Sequence, residues 1–294
     1  MIAEISVPAK INLWLEVVRR REDGYHELSS LMLPISVFDN IEIRIGRDSG
    51  PISLDCDAPN IPCNRENLVW RAAELFREAG GVGHMLHIVL KKTIPSGAGL
   101  GGGSSDAAGI LLALNACHDN ILPVTDLQRL ALGLGADVPF FLHRRAALAT
   151  GIGENLEFVE KVPEYPLLLI KPSVSVPTKW VYENLKLTRG RSHIKLHCFN
   201  NGPWQLEPFI VNDLEPVTAS RYPIVRDLKR WLLERGALAS SMSGSGPTVF
   251  GIFGSLEEVK AAESEARKDW KDFWISSASV ISEPDSVIRR KSSF

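Results

Sequence analysis

Apolar residues recur along the chain with two different periods, which divide it into candidate strands and helices. An apolar residue at every second position predicts a strand with one buried face, and apolar residues three or four positions apart predict an amphipathic helix. Up to residue 159, these patterns predict strands at 2–7, 11–17, 40–45, 85–90, 146–150 and 156–159, and helices at 64–79, 104–117 and 126–134.

The rest of the chain continues with strands and helices in mixed order. The patterns predict strands at 167–170, 248–253 and 274–281, a short helix from 178, and helices at 224–235 and 255–268. Most strands are not separated by a single crossover helix, so the order predicts an α+β fold rather than a doubly wound parallel sheet. Residues 189–203 have no clear periodicity, so we predict a mobile connection there. We predict a frayed tail at residues 288–294.

Turn and cap residues mark several boundaries. Asp-Gly at the tip of the polar segment 19–26 predicts a hairpin between two strands. Segments 125–128 and 255–258 have the pattern of a capping box, so each predicts a helix start. Segment 163–166 reads Pro-Glu-Tyr-Pro, and we place a domain boundary there, between 1–162 and 163–294.

Composition excludes several classes of function. Lys and Arg number 33 and Asp and Glu 35, so a net charge of -2 gives no electrostatic reason to expect binding to nucleic acid or an anionic membrane. The four cysteines lack paired spacing, which argues against a zinc site or a disulfide framework and is typical of a reducing cytoplasm. We find neither a signal peptide nor an apolar run of the ~18 residues that a membrane span needs.

A glycine-rich segment before the helix at 104–117 is the strongest candidate site. Five glycines lie within residues 97–103, and Ser104 and Ser105 follow. Free N–H groups in such a loop and at a helix N-terminus bind phosphate, and either serine is a good N-cap. The alternative is a flexible turn, but a turn commonly needs only one or two glycines. We call residues 95–105 the first glycine loop.

Two familiar types of phosphate loop do not fit this segment. A P-loop needs a lysine directly after its last glycine, and here Ser104 follows Gly103. A dinucleotide fingerprint needs a second parallel strand after the helix, carrying an acidic residue, whereas another helix is predicted at 126–134. Residues 240–247 form a second glycine loop before the strand at 248–253.

Isolated polar residues are ambiguous by themselves. Lys10 between two predicted strands is ordinarily a solvated surface charge, and Tyr25 and His26 at the hairpin return are ordinarily packing residues. Asp137 stands in an apolar run beside a proline, where it either caps a short helix or acts as a base or phosphate-site partner. These alternatives stay open from the residues alone.

Three segments together resemble the three motifs of the GHMP kinases, which phosphorylate small-molecule hydroxyl groups with ATP. They are 8–13 (Pro-Ala-Lys-Ile-Asn-Leu), the first glycine loop, and 243–247 (Ser-Gly-Ser-Gly-Pro). Segments 21–28, 133–140, 151–154 and 212–215 further resemble the members that act on a cytidine diphosphate-linked methylerythritol. The similarity runs nearly end to end and in matching order.

This resemblance implies a two-domain GHMP kinase fold with the active site in the cleft between the domains. Residues 1–162 would form an ATP-binding domain that is ribosomal-protein-S5-domain-2-like, and residues 163–294 a ferredoxin-like α/β sandwich. The implied cofactors are ATP and Mg²⁺, and the implied partner is the small-molecule substrate. We expect a cytoplasmic monomer or homodimer.

The resemblance also implies residue roles. Lys10 and Asp137 fall at the catalytic positions, with Asp137 as the base and Lys10 as its electrostatic partner. Asn12 falls among the substrate contacts, Tyr25 and Tyr182 would sandwich the cytosine, and His26 would bond the edge of the base. The implied ATP phosphate site, in which Ser105 is also a candidate Mg²⁺ ligand, comprises Pro95, Ser96, Gly97, Ala98, Gly99, Leu100, Gly101, Gly102, Gly103, Ser104 and Ser105.

Two alternatives remain. Another kinase of the same superfamily, acting on homoserine, a mevalonate derivative or a sugar, would share the glycine loop; the segment 23–26 and the pair of aromatic residues argue for the cytidine substrate. A nucleotide-binding regulator without chemistry is disfavoured because Lys10 and Asp137 are both present.

Overall fold

The structure, a computed structural model, describes residues 1–187, 210–282 and 288–291 of the chain. The strands are β1 (Ile2–Arg20), β2 (His26–Ser49), β3 (Ile52–Cys56), β4 (His84–Lys91), β5 (Ala147–Gly151), β6 (Asn155–Phe158), β7 (Pro166–Lys171), β8 (Val211–Asn212), β9 (Ala239–Met242), β10 (Val249–Ile252), β11 (Trp274–Ser279) and β12 (Arg289–Lys291). The helices are α1 (Leu68–Gly80), α2 (Gly102–Cys117), α3 (Val124–Leu134), α4 (Val138–His143), α5 (Thr178–Glu183), α6 (Glu215–Arg221), α7 (Ile224–Glu234) and α8 (Leu256–Asp269).

The first sheet has eight strands. Its main path is β12-β1-β2-β4-β3; β5 pairs with β2, β6 pairs with β5, and β8 pairs with β1. Residues of α1 to α4 pack with apolar side chains of β1 to β5 and form one core, in which Phe76, Phe140 and Phe141 are almost fully buried. The β1–β2 hairpin that the Asp-Gly turn predicted is confirmed.

The second sheet has four antiparallel strands in the order β11-β7-β10-β9. Along the chain, helices α6 and α7 lie between β7 and β9, and α8 lies between β10 and β11, which is the βαββαβ order of a ferredoxin-like unit. Strand β7 is apolar throughout because both of its faces are buried. Leu167 and Leu169 face the first sheet, whereas Leu168 and Ile170 face the helices.

Strand β1 joins these layers because it passes through all three hydrophobic cores. Val7 belongs to the core under the first sheet, Ile11 to the core between the sheets, and Val17 to the core of the second sheet. Its pairing with β2 shifts register between Pro8 and Ala9, and again between Asn12 and Trp14. Lys10 and Asn12 alternate with the buried apolar residues, so they lie on the opposite face of the strand.

Several predicted elements differ from the observed ones. The strands predicted at 2–7 and 11–17 are one strand, β1, because the bulge at Pro8 keeps the pairing with β2. The frayed tail predicted at 288–294 is wrong for residues 289–291, which pair with the start of β1 as β12. Residues 240–242 of the second glycine loop belong to β9, and we keep that name for residues 243–247.

Two predicted helix starts were also wrong. Helix α2 begins at Gly102 with Gly101 as its N-cap, so neither serine caps it. Helix α3 has Pro123 as its N-cap with no side-chain hydrogen bond, so the capping box predicted at 125–128 is absent. The capping box at Ser255 and Glu258 is confirmed.

The α+β fold is confirmed, whereas the domain boundary stays a prediction. The predicted boundary lies between β6 and β7, where the chain passes from the first sheet to the second, but β8 and β12 return to the first sheet. The connection predicted at 189–203 lies outside the described residues. Within the described part of the chain, we find no helix long and apolar enough to cross a bilayer.

Candidate active site

A large cavity of about 740 Å³ lies where the β1–β2 hairpin, the first glycine loop and the second sheet meet. We call it the large cavity. Six of the predicted catalytic and substrate-binding residues line it, and they are Lys10, Asn12, Tyr25, His26, Asp137 and Tyr182, of which Tyr25 is exposed. Folding therefore brings together residues that are more than 170 positions apart in the chain.

The first glycine loop runs along one wall of the large cavity. Gly99 has a φ of +77° and Gly101 a φ of +73°, a backbone conformation that residues other than glycine rarely adopt. Space is a second constraint, because a Cβ at Gly99 would lie 2.1 Å from the Ser243 carbonyl oxygen, and one at Gly101 would lie 2.7 Å from Phe141. The loop therefore needs glycine at both positions.

The start of α2 presents backbone donors beside this loop. The first intrahelical bond is donated by the N–H of Ser105, so the N–H groups of Gly102, Gly103 and Ser104 are left for another acceptor. These groups and the positive end of the helix dipole make an anion site. Ser104 lines both the large cavity and a smaller cavity that the first glycine loop also lines.

Ser105 does not face either cavity. Its side chain is buried, and its hydroxyl donates a 2.6 Å hydrogen bond to the carbonyl oxygen of Pro8. The predicted Mg²⁺ ligand is thus committed to joining α2 to β1, and Ser104 is the serine placed to meet a ligand. Leu100 is also turned away, because its side chain packs in the core between the sheets.

The second glycine loop lies against the first. The Ser243 hydroxyl donates a 2.9 Å hydrogen bond to the Gly99 carbonyl oxygen, and the N–H of Thr248 donates to the Ala98 carbonyl oxygen at 3.3 Å. Gly244 and Gly246 both have positive φ and line the large cavity, and the peptide bond between Gly246 and Pro247 is cis. The two loops therefore form one continuous backbone surface.

Lys10 and Asp137 meet in the large cavity at a distance of 3.8 Å between Nζ and Oδ2. The Lys10 side chain is only 4% exposed, whereas that of Asp137 is 39% exposed. Lys10 Nζ also donates to Asn12 Oδ1 at 2.6 Å, and Asn12 Nδ2 donates to the Ser30 hydroxyl at 2.8 Å. Burial lowers the pKa of Lys10, and the nearby Asp137 only partly offsets this effect.

Asp137 directly precedes α4 but does not cap it. It occupies the N-cap position with helical backbone angles, and its side chain makes no capping hydrogen bond. The predicted alternative of a structural cap is therefore absent. The carboxylate is instead left accessible from the large cavity beside a buried cation.

Three aromatic rings, those of Tyr25, His26 and Tyr182, also line the large cavity. His26 stacks on Tyr182 with ring centroids 5.1 Å apart, whereas Tyr25 is 61% exposed. Burial and the charge of Asp137 raise the pKa of the Tyr182 hydroxyl. Burial and the charge of Arg20, which also lines the cavity, lower the pKa of His26.

A small cavity of about 370 Å³ lies on the other side of the first glycine loop, and we call it the small cavity. Four residues are common to both linings, namely Gly97, Gly99, Gly101 and Ser104. Residues 60–62 and 66–68 also line the small cavity. Sequence reasoning missed their place in the site, because 60–62 have no pattern and 66–68 were predicted only as part of a helix at 64–79.

A buried ionic cluster lies beside the first glycine loop. Lys92 Nζ donates to Asp39 and, at 2.6 Å, to Asp106 in the first turns of α2. Asp39 Oδ1 accepts from the N–H groups of Thr93 and Ile94 at 2.6 and 2.9 Å. Burial raises the pKa of Asp106 to about 7, although Lys92 acts to lower it. The cluster fixes the strand, the loop and the helix relative to one another.

The arrangement can hold a polyphosphate and act on a neighbouring group. Backbone N–H groups of the loop and of α2 face the shared wall of two cavities, and a carboxylate beside a buried lysine lies in the larger one. No group of three or more His, Cys, Asp or Glu that could hold a metal occurs among the residues that the structure describes.

Comparisons with known proteins agree with this geometry. The model of the GHMP kinases N terminal domain matches residues 67–145, and that of the GHMP kinases C terminal domain matches residues 200–272. The chain is 42% identical to the 4-diphosphocytidyl-2-C-methyl-D-erythritol kinase of Syntrophotalea carbinolica, over 90% of this chain and 95% of that one. It is 43% identical to the same kinase of Pelobacter propionicus, over 89% and 93%.

Solved structures show the same relation. A crystal structure of 4-(cytidine 5'-diphospho)-2C-methyl-D-erythritol kinase superposes with a TM-score of 0.77 at 36% identity, covering 94% of this chain and 98% of the other. A homoserine kinase from Cytophaga hutchinsonii superposes with a TM-score of 0.74 at 20% identity, covering 96% and 95%, which is a likeness of fold alone.

Proposed function

The chain belongs to the 4-diphosphocytidyl-2-C-methyl-D-erythritol kinases of the GHMP kinase family, and from this membership we propose that it transfers a phosphoryl group from ATP to a hydroxyl of 4-diphosphocytidyl-2-C-methyl-D-erythritol. The acceptor is the hydroxyl at position 2, and the products are the 2-phosphate and ADP. The reaction belongs to the non-mevalonate synthesis of isoprenoid precursors. The observation that carries the proposal is the Lys10–Asp137 pair beside a glycine loop that two cavities share.

The first glycine loop separates the proposed sites of the two substrates. The small cavity takes the nucleoside part of ATP, and the large cavity takes the acceptor. The N–H groups of Gly102, Gly103 and Ser104 hold the phosphates at the shared wall, where the helix dipole favours negative charge. Phosphoryl transfer depends mainly on such positioning and charge stabilisation.

Asp137 and Lys10 act on the reacting groups. The acceptor oxygen forms a bond to the γ-phosphorus, the bond from that phosphorus to the β-phosphate oxygen breaks, and Asp137 accepts the hydroxyl proton. Lys10 is its electrostatic partner, with Nζ 3.8 Å from Asp137 Oδ2. Its buried ammonium group also stabilises negative charge on the transferred group, since the low surrounding dielectric strengthens the interaction. Asn12 fixes the position of Nζ through its 2.6 Å hydrogen bond.

Mg²⁺ fits the donor set that the described residues offer. Magnesium usually keeps several waters and binds through substrate phosphates with one or two protein oxygens, and the Ser104 hydroxyl lines the shared wall. When bound, the ion neutralises charge on the phosphate oxygens. In this mode, the Ser104 hydroxyl would be a protein contact of the ion.

The aromatic residues recognise the cytidine part of the acceptor. We propose that Tyr25 and Tyr182 take the cytosine between their rings, with His26 at the edge of the base. Burial of Tyr182 and its stacking on His26 provide one preformed wall. Tyr25 is exposed, so its ring is free to close on the other face of the base.

The three free cysteines among the described residues support a reducing compartment such as the cytoplasm.

Coupled ADP release tests the proposed function directly. Purified protein is mixed with ATP, Mg²⁺ and one acceptor at a time, namely 4-diphosphocytidyl-2-C-methyl-D-erythritol, homoserine, mevalonate or galactose. We expect rapid ADP release with the first acceptor and background release with the others. Preferred turnover of homoserine, mevalonate or galactose would assign the protein to another branch of the superfamily, and ATP binding without turnover would indicate a regulator.

A further inference from the structure

Asn212 is a buried polar residue outside the catalytic pair, and its side chain reaches the second glycine loop. Its Nδ2 group donates to the carbonyl oxygen of Met242 at 2.6 Å and to that of Gly244 at 2.8 Å. Its Oδ1 atom accepts from the N–H of Leu214 at 2.9 Å. Because Leu214 N–H can only donate, this last bond fixes which end of the amide faces the loop.

The backbone around Asn212 is anchored to the first sheet. Strand β8 pairs in parallel with β1, so that Asn212 lies beside Leu15. The next residue, Asp213, accepts from the N–H of Val17 at 2.9 Å and donates its own N–H to the Leu15 carbonyl oxygen at 2.9 Å. The Asn212 side chain thus reaches from the first sheet to a loop of the second sheet.

The bond to Gly244 sets the orientation of one peptide plane. In a trans peptide the C=O and N–H groups point in opposite directions. Since the Gly244 carbonyl points at Asn212, the N–H of Ser245 points away from it. Among the described residues, no hydrogen bond uses that N–H, and Gly244, Ser245 and Gly246 all line the large cavity.

We propose that Asn212 is a positioning residue for phosphoryl transfer, which fixes the Gly244–Ser245 peptide so that the Ser245 N–H faces the reacting groups. This inference rests on the proposed kinase function. The N–H is a preorganised donor for negative charge on the transferred phosphoryl group, and Gly244 lies close to both Gly99 and Asn12 in the same wall. Removing one such donor typically costs about 10²–10³ in kcat.

Asn212→Asp is the sharpest variant, because it keeps the shape and the acceptor for Leu214 while replacing the donor with a carboxylate oxygen. That oxygen repels the carbonyl oxygens of Met242 and Gly244, so the peptide should rotate. We expect kcat to fall by about 10²-fold, with KM for ATP and for the acceptor changed by less than about threefold.

Ser255→Ala is the matched control for general destabilisation. Ser255 caps α8 by accepting from the N–H of Glu258, and it lines neither cavity. This variant should lower the midpoint of thermal unfolding and leave kcat unchanged. Should Asn212→Asp fail to fold, Asn212→Ser carries the same comparison, because its hydroxyl can donate to only one of the two carbonyl groups.

The outcomes separate this inference from the proposed function. Wild-type protein that releases no ADP with the diphosphocytidyl acceptor removes the function itself. With an active wild type, an unchanged kcat in the Asn212 variant, a loss confined to KM, or an equal loss in Ser255→Ala overturns the positioning role. A fall in kcat alone, absent from the control, supports it.

Discussion

Lys10 holds a positive charge in a place where burial opposes it. The side chain is 4% exposed, and its pKa is lowered despite the Asp137 carboxylate 3.8 Å away. A cation that is desolvated in advance interacts more strongly with a developing negative charge than one in water. At the residue scale, the site therefore depends on how single side chains are paired and buried.

Asp137→Asn removes the proposed base while preserving its size. We expect kcat to fall by about 10²–10⁴, with ATP affinity little changed, because the proposed role of the carboxylate is on the acceptor proton and not on the nucleotide. Steady-state kinetics measures kcat, and titration with ATP in the absence of the acceptor measures ATP affinity. Asp126→Asn, at an exposed pair on α3, is the control. Near-normal turnover of Asp137→Asn would remove this residue from its role.

Tyr25→Ala removes one wall of the proposed cytosine site. Aromatic stacking contributes ~0.5–1.5 kcal/mol beyond burial, so KM for the acceptor should rise by roughly two- to tenfold, with kcat and KM for ATP unchanged. Tyr25→Phe keeps the ring and should behave as the wild type. An unchanged acceptor KM in Tyr25→Ala contradicts the sandwich.

His26 provides a pH prediction. Burial and the charge of Arg20 both lower its pKa below the ordinary value of 6.5, so the imidazole is neutral at pH 7. Arg20→Gln removes the second of these effects, and the His26 pKa should move upward but stay below its ordinary value. NMR titration of the imidazole Cε1 proton, assigned with His26→Gln, measures this shift. A lower pKa in Arg20→Gln would contradict the charge effect.

At the scale of elements, the first glycine loop is held by its surroundings as well as by its own backbone. Asp39 accepts from the N–H groups of the two residues before the loop, and Lys92 links Asp39 to Asp106 in α2. Burial acts to lower the Lys92 pKa, but the two carboxylates outweigh it and hold that pKa above its ordinary value. The strand, the loop and the helix therefore share one buried ionic cluster.

Lys92→Met leaves two carboxylates buried without a cation. Breaking a buried ion pair on one side costs ~3–5 kcal/mol, so we expect a loss of that size in the free energy of unfolding. Urea unfolding followed by circular dichroism measures it. Lys91→Met, at the exposed neighbouring position, should change stability by less than ~0.5 kcal/mol. Equal midpoints for both variants would show that the cluster contributes little.

At the scale of the whole molecule, the site exists because two sheets pack against each other. The core between them contains Ile11 and Leu33 of the first sheet and Leu169 and Phe250 of the second. At the edge of this core, the two glycine loops touch through Gly99 and Ser243. We therefore expect ligand binding in the cavities to be coupled to the contact between the sheets.

Gly99→Ala tests that coupling. Its Cβ would lie 2.1 Å from the Ser243 carbonyl oxygen, so the two loops must separate. ADP at 100 times its Kd stabilises a folded protein by ~2.7 kcal/mol, and the resulting rise in the unfolding midpoint should be lost in this variant. Gly133→Ala, with no atom near the added Cβ, should retain it. An undiminished ADP-induced shift in Gly99→Ala contradicts the coupling.

The fold could be predicted wherever a local pattern was strong. The β1–β2 hairpin, helix α7 and the capping box of α8 follow from turn residues, periodicity and caps within a few positions. Strands β3 and β8 were missed, because they are short and pair with strands that lie far away in the chain. Helix α6 was missed because it has only seven residues. The tail strand β12 was missed for the same reason, because the strand it pairs with is the start of β1 at the other end of the chain.

By itself, the sequence determined the α+β class, the two glycine loops and the identity of the residues that carry charge or an aromatic ring. Glycine clusters and alternating apolar residues involve only positions close together in the sequence, so the sequence of one chain is enough to recognise them. Only the tertiary structure decided that Lys10 meets Asp137, that Ser105 is turned to Pro8 while Ser104 faces the cavities, and that residues 60–62 complete the small cavity. Those outcomes depend on the packing of distant segments, which no local pattern encodes.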